Sequence, residues 1–434
     1  MTTRALFTRT ALVLALLACA GGASAQEQDA PKLEIGVQYS SLSIDLPAFG
    51  GTEHAVGVGG RVTYNLTDYF AVEAETNLFP SDLRTDYVVG GAAQQAQFGA
   101  KVGKRWRRFG LFAKARPGFV SFGDTLTPVQ VNSGTTPVFT FERERKTHFS
   151  MDVGGVLEFY PSRKMLVRFD AGDTVIRYGE HAELQPAFLP SIPAAITQEP
   201  SETFHNFQFT AGVGFRFGGG GEDPGGSQSS TSGERVRRFE VGMQFSSLLL
   251  RPPASGFTFS RFADEGSQAE AGGGIRLGFN ATERLAFEVE GNFYPRRRFG
   301  IDTAIGGYPA QVQAGVKYGR RFERFGVFAK ARPGLVTFSS VNEVTGYESF
   351  VFGGQTFFFP NTRDTSKTYF SMDLGGVLEF YPSKRILTRF DVGDTMIRYP
   401  ARDNPDGFTT APPPRLPSEL RHNLQVTAGI GFRF

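Results

Sequence analysis

The chain has little of the residue types on which metal and thiol chemistry depend. Its 434 residues include one cysteine and five histidines, and the histidines are scattered. Because no Cys/His cluster occurs, we predict no transition-metal site and no bound cofactor. Cys19 precedes Ala25, so a chain cleaved after Ala25 would contain neither a thiol nor a disulfide.

The chain also lacks an excess of charge of one sign. Its 46 Lys and Arg residues are nearly balanced by 43 Asp and Glu residues, which leaves a net charge of +3. A nucleic-acid-binding protein usually concentrates basic residues in a patch or stripe. Nucleic acid is therefore not an expected partner.

Long hydrophobic runs are missing as well. No stretch reaches 18 apolar residues, so no transmembrane helix is predicted. The short apolar run Ala11–Ala18 follows Arg4 and Arg9 and precedes Ala23–Ala25, which is the pattern of a secretory signal peptide. We predict that residues 1–25 are a signal peptide for Sec-type export. Lipidation of Cys19 is the alternative use of this segment.

Glycine and phenylalanine, by contrast, are abundant. The chain has 53 Gly and 44 Phe residues. An exported chain with this composition and no helix-length apolar run is typical of a β protein, whose apolar residues are spread over alternating strands.

Most of the chain is present twice, at a spacing of about 216 residues. This spacing is far longer than a solenoid or propeller repeat, so each copy is the size of a domain. We predict repeat 1 over residues 26–217, a flexible Gly/Ser-rich linker over residues 218–236, and repeat 2 over residues 237–434. The matching segments are Phe112–Gly118 with Phe328–Gly334, Ser150–Ser162 with Ser371–Ser383, Arg168–Tyr178 with Arg389–Tyr399, and His205–Phe217 with His422–Phe434.

Each copy is predicted to contain eight strands joined alternately by tight turns and long loops. Such strands are long enough to cross a bilayer at a tilt, and the alternation of loop lengths is typical of an antiparallel transmembrane up-and-down barrel. In the first copy the predicted strands are Leu33–Leu42, His54–Tyr64, Tyr69–Phe79, Ala93–Lys104, Phe109–Phe122, Thr147–Tyr160, Met165–Tyr178 and Phe204–Phe217.

Charged residues fall on one face of these strands, and apolar residues on the other. With period two, the apolar face is predicted to contact lipid and the polar face to line the lumen. Since buried charges are costly unless paired, we predict a lumen filled by ion pairs. The predicted network is Glu34, Arg61, Glu73, Glu75, Lys101, Lys114, Arg116, Asp152, Glu158, Arg168, Asp170 and Arg216 in copy one, and Glu240, Arg276, Glu288, Glu290, Lys317, Lys330, Arg332, Asp373, Glu379, Arg389, Asp391 and Arg433 in copy two.

A few residues do not fit this alternation of apolar and polar faces. Pro117 and Pro333 fall inside the fifth strand of each copy, and we predict that they lie near the outer rim or at a bulge. Asp173 and Asp394 fall on the lipid-facing phase, and we predict that they lie at or above the outer membrane interface.

The pattern resembles the small outer-membrane β-barrel superfamily, the OmpA/OmpX type, over nearly the whole of each copy. The terminal Gly431–Phe434 is similar to the C-terminal signal of such proteins, with Phe432 and Phe434 as its aromatic residues. The resemblance implies location in the outer membrane, contact with lipopolysaccharide, and recognition by the barrel-assembly machinery. It does not by itself imply a function.

Two tandem eight-stranded barrels are the favoured architecture. The linker is longer than a turn within one barrel requires, and Phe215 and Phe217 repeat the terminal signal internally. One sixteen-stranded, porin-sized barrel is the alternative. A soluble sandwich would leave the alternation of loop lengths unexplained.

The favoured function is a non-enzymatic structural or surface-interaction scaffold, and a porin-like or gated channel is the alternative. His148 and Ser150 resemble the His-x-Ser pair of outer-membrane lipid A deacylases, but copy two has Tyr369 at the position of His148. Catalysis is therefore not expected. Charges in the predicted outer loops, Glu142–Arg145 and Arg296–Arg298, could pair with lipopolysaccharide phosphates or simply be solvated.

Overall fold

The computed structural model describes residues 31–47, 51–133, 136–185, 194–218, 237–254, 268–295, 304–405, 411 and 413–434. The predicted signal peptide, residues 219–236 of the predicted linker and Arg296–Arg298 lie outside the described residues. The regular structure of the described residues is entirely β. None of it is a helix long and apolar enough to cross a bilayer.

The first copy closes into an antiparallel barrel of eight strands. Each strand pairs with the strand next to it in sequence, apart from the small hairpin β8 (His181–Gln185) and β9 (Ala195–Glu199), which forms a separate two-stranded sheet. The barrel strands are β1 (Leu33–Asp45), β2 (Thr52–Asn65), β3 (Phe70–Leu83), β4 (Gly91–Arg105), β5 (Phe109–Ser133), β6 (Thr136–Ser162), β7 (Met165–Tyr178) and β10 (Glu202–Phe217).

The second copy forms a second closed barrel of eight strands with the same order. Its strands are β11 (Phe239–Leu250), β12 (Gln268–Asn280), β13 (Leu285–Phe293), β14 (Pro309–Arg321), β15 (Phe325–Phe352), β16 (Gln355–Phe380), β17 (Ile386–Tyr399) and β18 (Glu419–Arg433).

Closure within each copy decides between the two predicted architectures. The first strand of copy one pairs with its last, from Leu33 opposite Phe217 onward. The first strand of copy two pairs with its last in the same way, with Glu240 opposite Arg433. A sixteen-stranded barrel would instead need the last strand of copy one to pair with the first of copy two. The prediction of two tandem eight-stranded barrels is therefore confirmed.

The outer connections contain more strand than predicted. The loop predicted over residues 123–146 is a hairpin in which β5 and β6 stay paired out to Ser133 and Thr136. In copy two, β15 and β16 stay paired out to Phe352 and Gln355. The prediction missed these extensions because their alternation is of Val and Phe with Thr and Gln, which is weaker than the pattern within the barrels.

The two strand prolines lie at gaps in the ladder, and not at bulges. Opposite β4, pairing stops at Gly118 and resumes at Ala115, so Pro117 falls where no bond is made. Pro333 lies in the same gap of copy two. Because proline has no N–H, it fits where one neighbouring strand leaves the donor unused. The prediction offered the outer rim or a bulge, and no register shift marks a bulge at either proline.

One outward-facing patch of each barrel does not face lipid. Outward residues such as Val37 and Phe98 are 66% and 63% exposed, whereas Phe169 and Ala211 are 8% and 2% exposed. They pack with their counterparts in the second barrel, Phe380, Phe390 and Ala428 among them. The barrels therefore contact each other side by side.

Aromatic stacking fixes this contact. The rings of Phe169 and Phe390, equivalent residues of the two copies, have centroids 5.9 Å apart and planes inclined by 3°. Phe209 stacks on Phe245 at 4.2 Å. Contact between equivalent residues is the mark of an isologous, two-fold-like interface.

This packing predicts a crosslink that the nearly cysteine-free chain makes easy to see. In a chain with a protease site inserted in residues 219–236, Phe169→Cys and Phe390→Cys should form a disulfide under mild oxidation, because their side chains meet. After proteolysis the two barrels should migrate together on non-reducing gels. The control pair, Val102→Cys and Tyr318→Cys, lies on exposed outward positions. Equal crosslinking of both pairs would contradict the interface.

Candidate functional site

The inward-facing side chains fill both barrels. Eight strands leave a lumen only wide enough for side chains, so every inward position competes for space. Gly59 in β2 leaves space for the side chain of Asn77, since a Cβ at residue 59 would lie 2.1 Å from the amide oxygen of Asn77. In copy two, Gly274 leaves space for Asn292 in the same way, since a Cβ at residue 274 would also lie 2.1 Å from the amide oxygen of Asn292. Glycine at these positions lets longer polar side chains cross the lumen.

A belt of ion pairs occupies the part of the first lumen nearest the tight turns, the end that faces the periplasm in barrels of this type. Glu73 on β3 is its centre, because its carboxylate contacts cations from three other strands. Its oxygens lie 3.4 Å from Lys101 Nζ and 3.8 Å from Arg116 Nη1. Arg168 donates to both carboxylate oxygens, with Nη2 to Oε2 at 2.9 Å. All four side chains are buried.

The belt continues around the wall through Asp152 and Asp170. Asp152 accepts from Arg116 Nε at 3.0 Å and lies 2.7 Å from Lys114 Nζ. Asp170 accepts from Arg168 Nε at 2.6 Å. Each cation thus touches more than one carboxylate, which is the geometry that offsets the cost of burying charge.

The second lumen repeats the belt closely. Glu288, the equivalent of Glu73, lies 3.0 Å from Lys317 and 3.9 Å from Arg332, and it accepts from Arg389 Nη2 at 2.9 Å. Asp373 accepts from Arg332 Nε at 2.9 Å. The two copies therefore preserve this network in detail.

The structure places all of the predicted lumen residues inside the barrels, and it brings all but three of them into ion pairs. The exceptions are Arg61, Arg276 and Arg433. Those that form ion pairs are Glu34, Glu73, Glu75, Lys101, Lys114, Arg116, Asp152, Glu158, Arg168, Asp170, Arg216, Glu240, Glu288, Glu290, Lys317, Lys330, Arg332, Asp373, Glu379, Arg389 and Asp391.

Among the described residues, the three exceptions contact groups other than carboxylates. Arg61 and Arg276 donate to the amide oxygens of Gln38 and Gln244, at 3.0 and 3.3 Å. Their opposing residues on the neighbouring strands are glutamates, but those carboxylates are engaged by Arg116 and Arg332. Arg433 lies over the ring of Tyr381 at 4.2 Å, as a cation–π contact.

Each belt contains one cation that the alternation of residues did not predict. Arg105, assigned to a turn, lies 3.7 Å from Glu34, and Arg321 lies 3.7 Å from Glu240 in copy two. With Arg105 added, the seven basic residues of the first belt face six acids. The basic ends of β4 and β14 were the only signal that could have identified these residues.

An amide layer lies next to the belt on its outer side. Asn77 accepts from Gln38 Nε2 at 2.9 Å and donates to Gln95 Oε1 at 2.8 Å. Gln208 bonds Gln95 at 2.9 Å and donates to Ser40 at 3.1 Å. This layer spans the lumen from β1 to β10 and closes it with hydrogen bonds. Copy two has the same layer in Gln244, Asn292, Gln311 and Gln425.

An apolar plug seals the outer end of each lumen. In copy one, Val88 and Val89 of the β3–β4 connection pack among Leu42, Phe79 and Phe122. In copy two, Ala304 and Ile305 occupy the equivalent place against Phe338 and Tyr399.

The residues considered for catalysis belong to this outer end of the lumen. His148 Nε2 bonds the carbonyl of Val88 at 3.0 Å, and the hydroxyl of Tyr369 does the same to Ala304 at 2.8 Å. Ser150 is completely buried and inward-facing. A nucleophile there has no access to lipid, so the geometry favours a structural role.

The described residues contain one group of carboxylates close enough to hold a metal ion, formed by Glu240, Glu288 and Glu379. Lys317 Nζ lies among them, 3.2 Å from Glu240 and 3.0 Å from Glu288. The ammonium group therefore fills the place that a cation would take.

The outward aspartates pair with histidines. Asp173 lies 2.6 Å from His205, and Asp394 lies 2.6 Å from His422. All four side chains are substantially exposed. Among the predicted assembly-signal residues, Phe432 and Phe434 are outward and exposed, at the end of the chain where β18 meets β11.

The match to a known family decides the class of the protein. Residues 11–217 match the family described as outer membrane protein beta-barrel domain. The first copy belongs to this family. Together with the closed second barrel of equivalent sequence, this makes the chain an outer-membrane β-barrel protein. Among proteins with curated descriptions, none matches the chain significantly.

Several solved outer-membrane barrels are similar to this chain. Neisserial surface protein A is 14% identical, covering 43% of this chain and 99% of its own, with a TM-score of 0.27. Ail of Yersinia pestis, in complex with the heparin analogue sucrose octasulfate, is 14% identical, covering 44% and 100%, with a TM-score of 0.26. A Pseudomonas aeruginosa FadL homologue is 10% identical, covering 92% and 89%, with a TM-score of 0.28. Such distant similarities carry no argument about function.

Replacement of Glu73 should strongly destabilise this outer-membrane barrel. Glu73→Ala leaves three buried cations without their shared carboxylate, and we expect a loss of about 3–5 kcal/mol in the free energy of unfolding. Urea unfolding of the refolded protein in micelles measures this. The exposed Glu142→Ala should change it by less than about 0.5 kcal/mol. Equal effects of the two substitutions would contradict the belt.

Arg116 and Arg61, which both lie in the first lumen, should differ in their contribution to the stability of the barrel. Arg116→Met leaves Glu75 without an ion-pair partner and Asp152 with Lys114 alone, whereas Arg61 donates to Gln38 and forms no ion pair among the described residues. We expect Arg116→Met to destabilise the barrel by about 2 kcal/mol more than Arg61→Met. The same urea titration compares them, and a larger loss from Arg61→Met would show that Arg61 has an ionic partner.

Proposed function

We propose that the protein is a non-enzymatic outer-membrane scaffold, in which two filled barrels anchor outer hairpins and loops for contact with other surfaces. The observation that carries this proposal is the filling of both lumens by the same three layers. A barrel whose interior is closed along its length serves as an anchor and not as a passage.

The three layers oppose conduction for different physical reasons. In the ion-pair belt, an entering ion would have to displace buried charges from their partners. In the amide layer, water would have to replace hydrogen bonds that are already made. In the apolar plug, water would have to enter among packed aliphatic and aromatic side chains. A gated channel would need all three layers to rearrange together.

The contacts of the scaffold follow from its class. Export through the Sec pathway, recognition of the C-terminal Phe432 and Phe434 by the barrel-assembly machinery, and contact of the outer rim with lipopolysaccharide are parts of the same proposal. Arg143 supports the last weakly, since it already pairs with Asp124 at 2.6 Å. The absence of an accessible nucleophile at Ser150 supports a non-enzymatic role.

Planar-bilayer recording tests the proposal directly. The refolded full-length protein should give no steady single-channel steps in 1 M salt, because each lumen is closed at three levels. Large and steady steps would overturn the filled-barrel function and favour a porin.

A stepwise series of variants tests the physical reason. Deletion of residues 86–89 should open the first plug but leave the protein silent, because the belt remains. The same deletion combined with serine at Glu73, Lys101, Arg116 and Glu158, which removes two charges of each sign, should produce small steps. Steps from the deletion alone would show that the belt and amide layer do not block ions.

A further inference from the structure

The longest outer hairpin among the described residues ends in an exposed apolar tip. Beyond the plug, β15 and β16 stay paired from Val341 opposite Thr365 to Phe352 opposite Gln355. At ~3.3 Å per residue this ladder reaches about 36 Å outward. Such a length places the tip well away from the barrel.

The tip, defined here as residues 349–361, contains no charged residue. Phe352 is 74% exposed and Val351 is 70% exposed at its end. Gly353 and Gly354 form the two-residue turn with φ of +60° and +80°, values that only glycine adopts without strain. Exposed apolar side chains at the end of a defined hairpin indicate a contact surface.

The aromatic side chains of the tip support one another. The ring of Phe350 lies 5.6 Å from that of Phe357 and 4.9 Å from that of Phe359. Strand pairing sets these rings on one side of the ribbon, with Phe350 directly opposite Phe357. The tip is thus a preformed aromatic wedge.

Charges of both signs lie directly beneath the tip, in a neck. Glu343 accepts from Arg363 at 2.9 Å and also pairs with Lys367, and Ser340 donates to Asp364 at 2.8 Å. Hydrogen bonds from Lys367 and Arg363 hold the pKa of the Glu343 carboxyl below its ordinary value, so it stays ionised. With Glu348 included, the neck has three acids and two bases, a net charge of −1.

The first copy has the same arrangement in a different sequence. Its hairpin has no charge from Thr125 to Phe141, and Val131, Val138 and Phe141 are exposed there. The charged segment Glu142–Lys146 follows directly. An uncharged tip above a charged neck therefore occurs in both hairpins although their residues differ.

We propose that the aromatic tip of the second hairpin inserts into the interfacial region of a second, zwitterionic bilayer that faces the outer surface of the cell. This inference rests on the proposed scaffold function, and it identifies the surface that the scaffold contacts. A convex, uncharged, aromatic wedge above charges of both signs matches the profile of a bilayer, with acyl chains below and zwitterionic headgroups at the surface. The neck charge of −1 disfavours an anionic surface.

The course of the hairpin indicates that the tip meets a second bilayer and not the membrane that holds the barrels. The ladder between Val341 and Phe352 is interrupted by one register shift, between Val344 and Gly346, and it contains no reversal. The hairpin therefore continues outward from β15 and β16, and below the tip the hydroxyl of Tyr347 donates to the carbonyl of Asn404, in the β17–β18 connection, at 2.6 Å. A protein partner or a second tip are the other possible occupants, and the experiment distinguishes them.

The single tryptophan of the chain allows a direct test. Trp106 lies in the β4–β5 turn, where it stacks on Phe109 at the periplasmic end. In full-length protein in nanodiscs, the double variant Trp106→Phe and Phe352→Trp has its only indole at the tip. Addition of phosphatidylcholine vesicles should shift its emission to the blue by about 10 nm or more, as the indole leaves water. The unaltered protein, with its indole at Trp106, should show no shift.

Three other results of this fluorescence test would overturn the proposal. They are no shift at the tip, a shift only with vesicles rich in anionic lipid, and a shift on concentrating the protein without vesicles. The first would point to a protein partner, the second to headgroup charge, and the third to pairing of tips.

Vesicle flotation of nanodisc-embedded protein tests the same tip without a reporter. Serine at Phe350, Phe352 and Phe357 should reduce the fraction bound to phosphatidylcholine vesicles at least tenfold. The control variant, with serine at Phe322 in the β14–β15 turn and at Phe325 at the start of β15, should bind like the unaltered protein. Equal binding by the tip variant would overturn the proposal.

Failure of the tip is separable from failure of the scaffold. Conductance of the tip variant reports the scaffold, because the tip lies outside both lumens. A silent tip variant that no longer floats supports both proposals, whereas a silent protein whose tip never bound vesicles overturns only the membrane contact.

Discussion

The structure depends on the mutual neutralisation of charges that are buried inside the two lumens. Glu73 and Glu288 each bring together lysine and arginine side chains from other strands. A carboxylate or guanidinium alone in such a place would cost several kcal/mol, and only multiple short contacts offset that cost. The belt therefore constrains strand register, because a slip of one residue would turn every member to the lipid.

This constraint explains why the two copies are alike in some places and different in others. The central side chains of the belt, such as Glu73, Lys101 and Arg116, each touch partners on three other strands, so a change at one of them disturbs several contacts. The outer hairpins have no such partners, and their residues and lengths differ while the uncharged tip persists. The barrels are thus fixed by packing, and the hairpins by the solvent or surface that they meet.

Much of the interior could be predicted because the period of a strand is two. Once one residue of a strand was assigned to the lumen, the rest of its inward residues followed, and with them nearly the whole belt. The alternation could not predict which carboxylate each basic side chain contacts. Arg61 faces Glu75 across the strands, yet Arg116 takes that carboxylate and Arg61 bonds Gln38. Arg105 joins the belt from the end of β4, where the pattern had stopped.

The sequence by itself determined the repeat, the strand phase, the filled lumen and the membrane class, since each follows from local alternation or from similarity between segments. Only the tertiary structure decided the closure of each copy, the contact between the barrels and the reach of the hairpins. Phe169 and Ala211 have the pattern of lipid-facing residues, and nothing local distinguishes them from Phe98. Their burial depends on a second surface far away in the chain, and an alternating pattern contains no information about which apolar surface a residue meets.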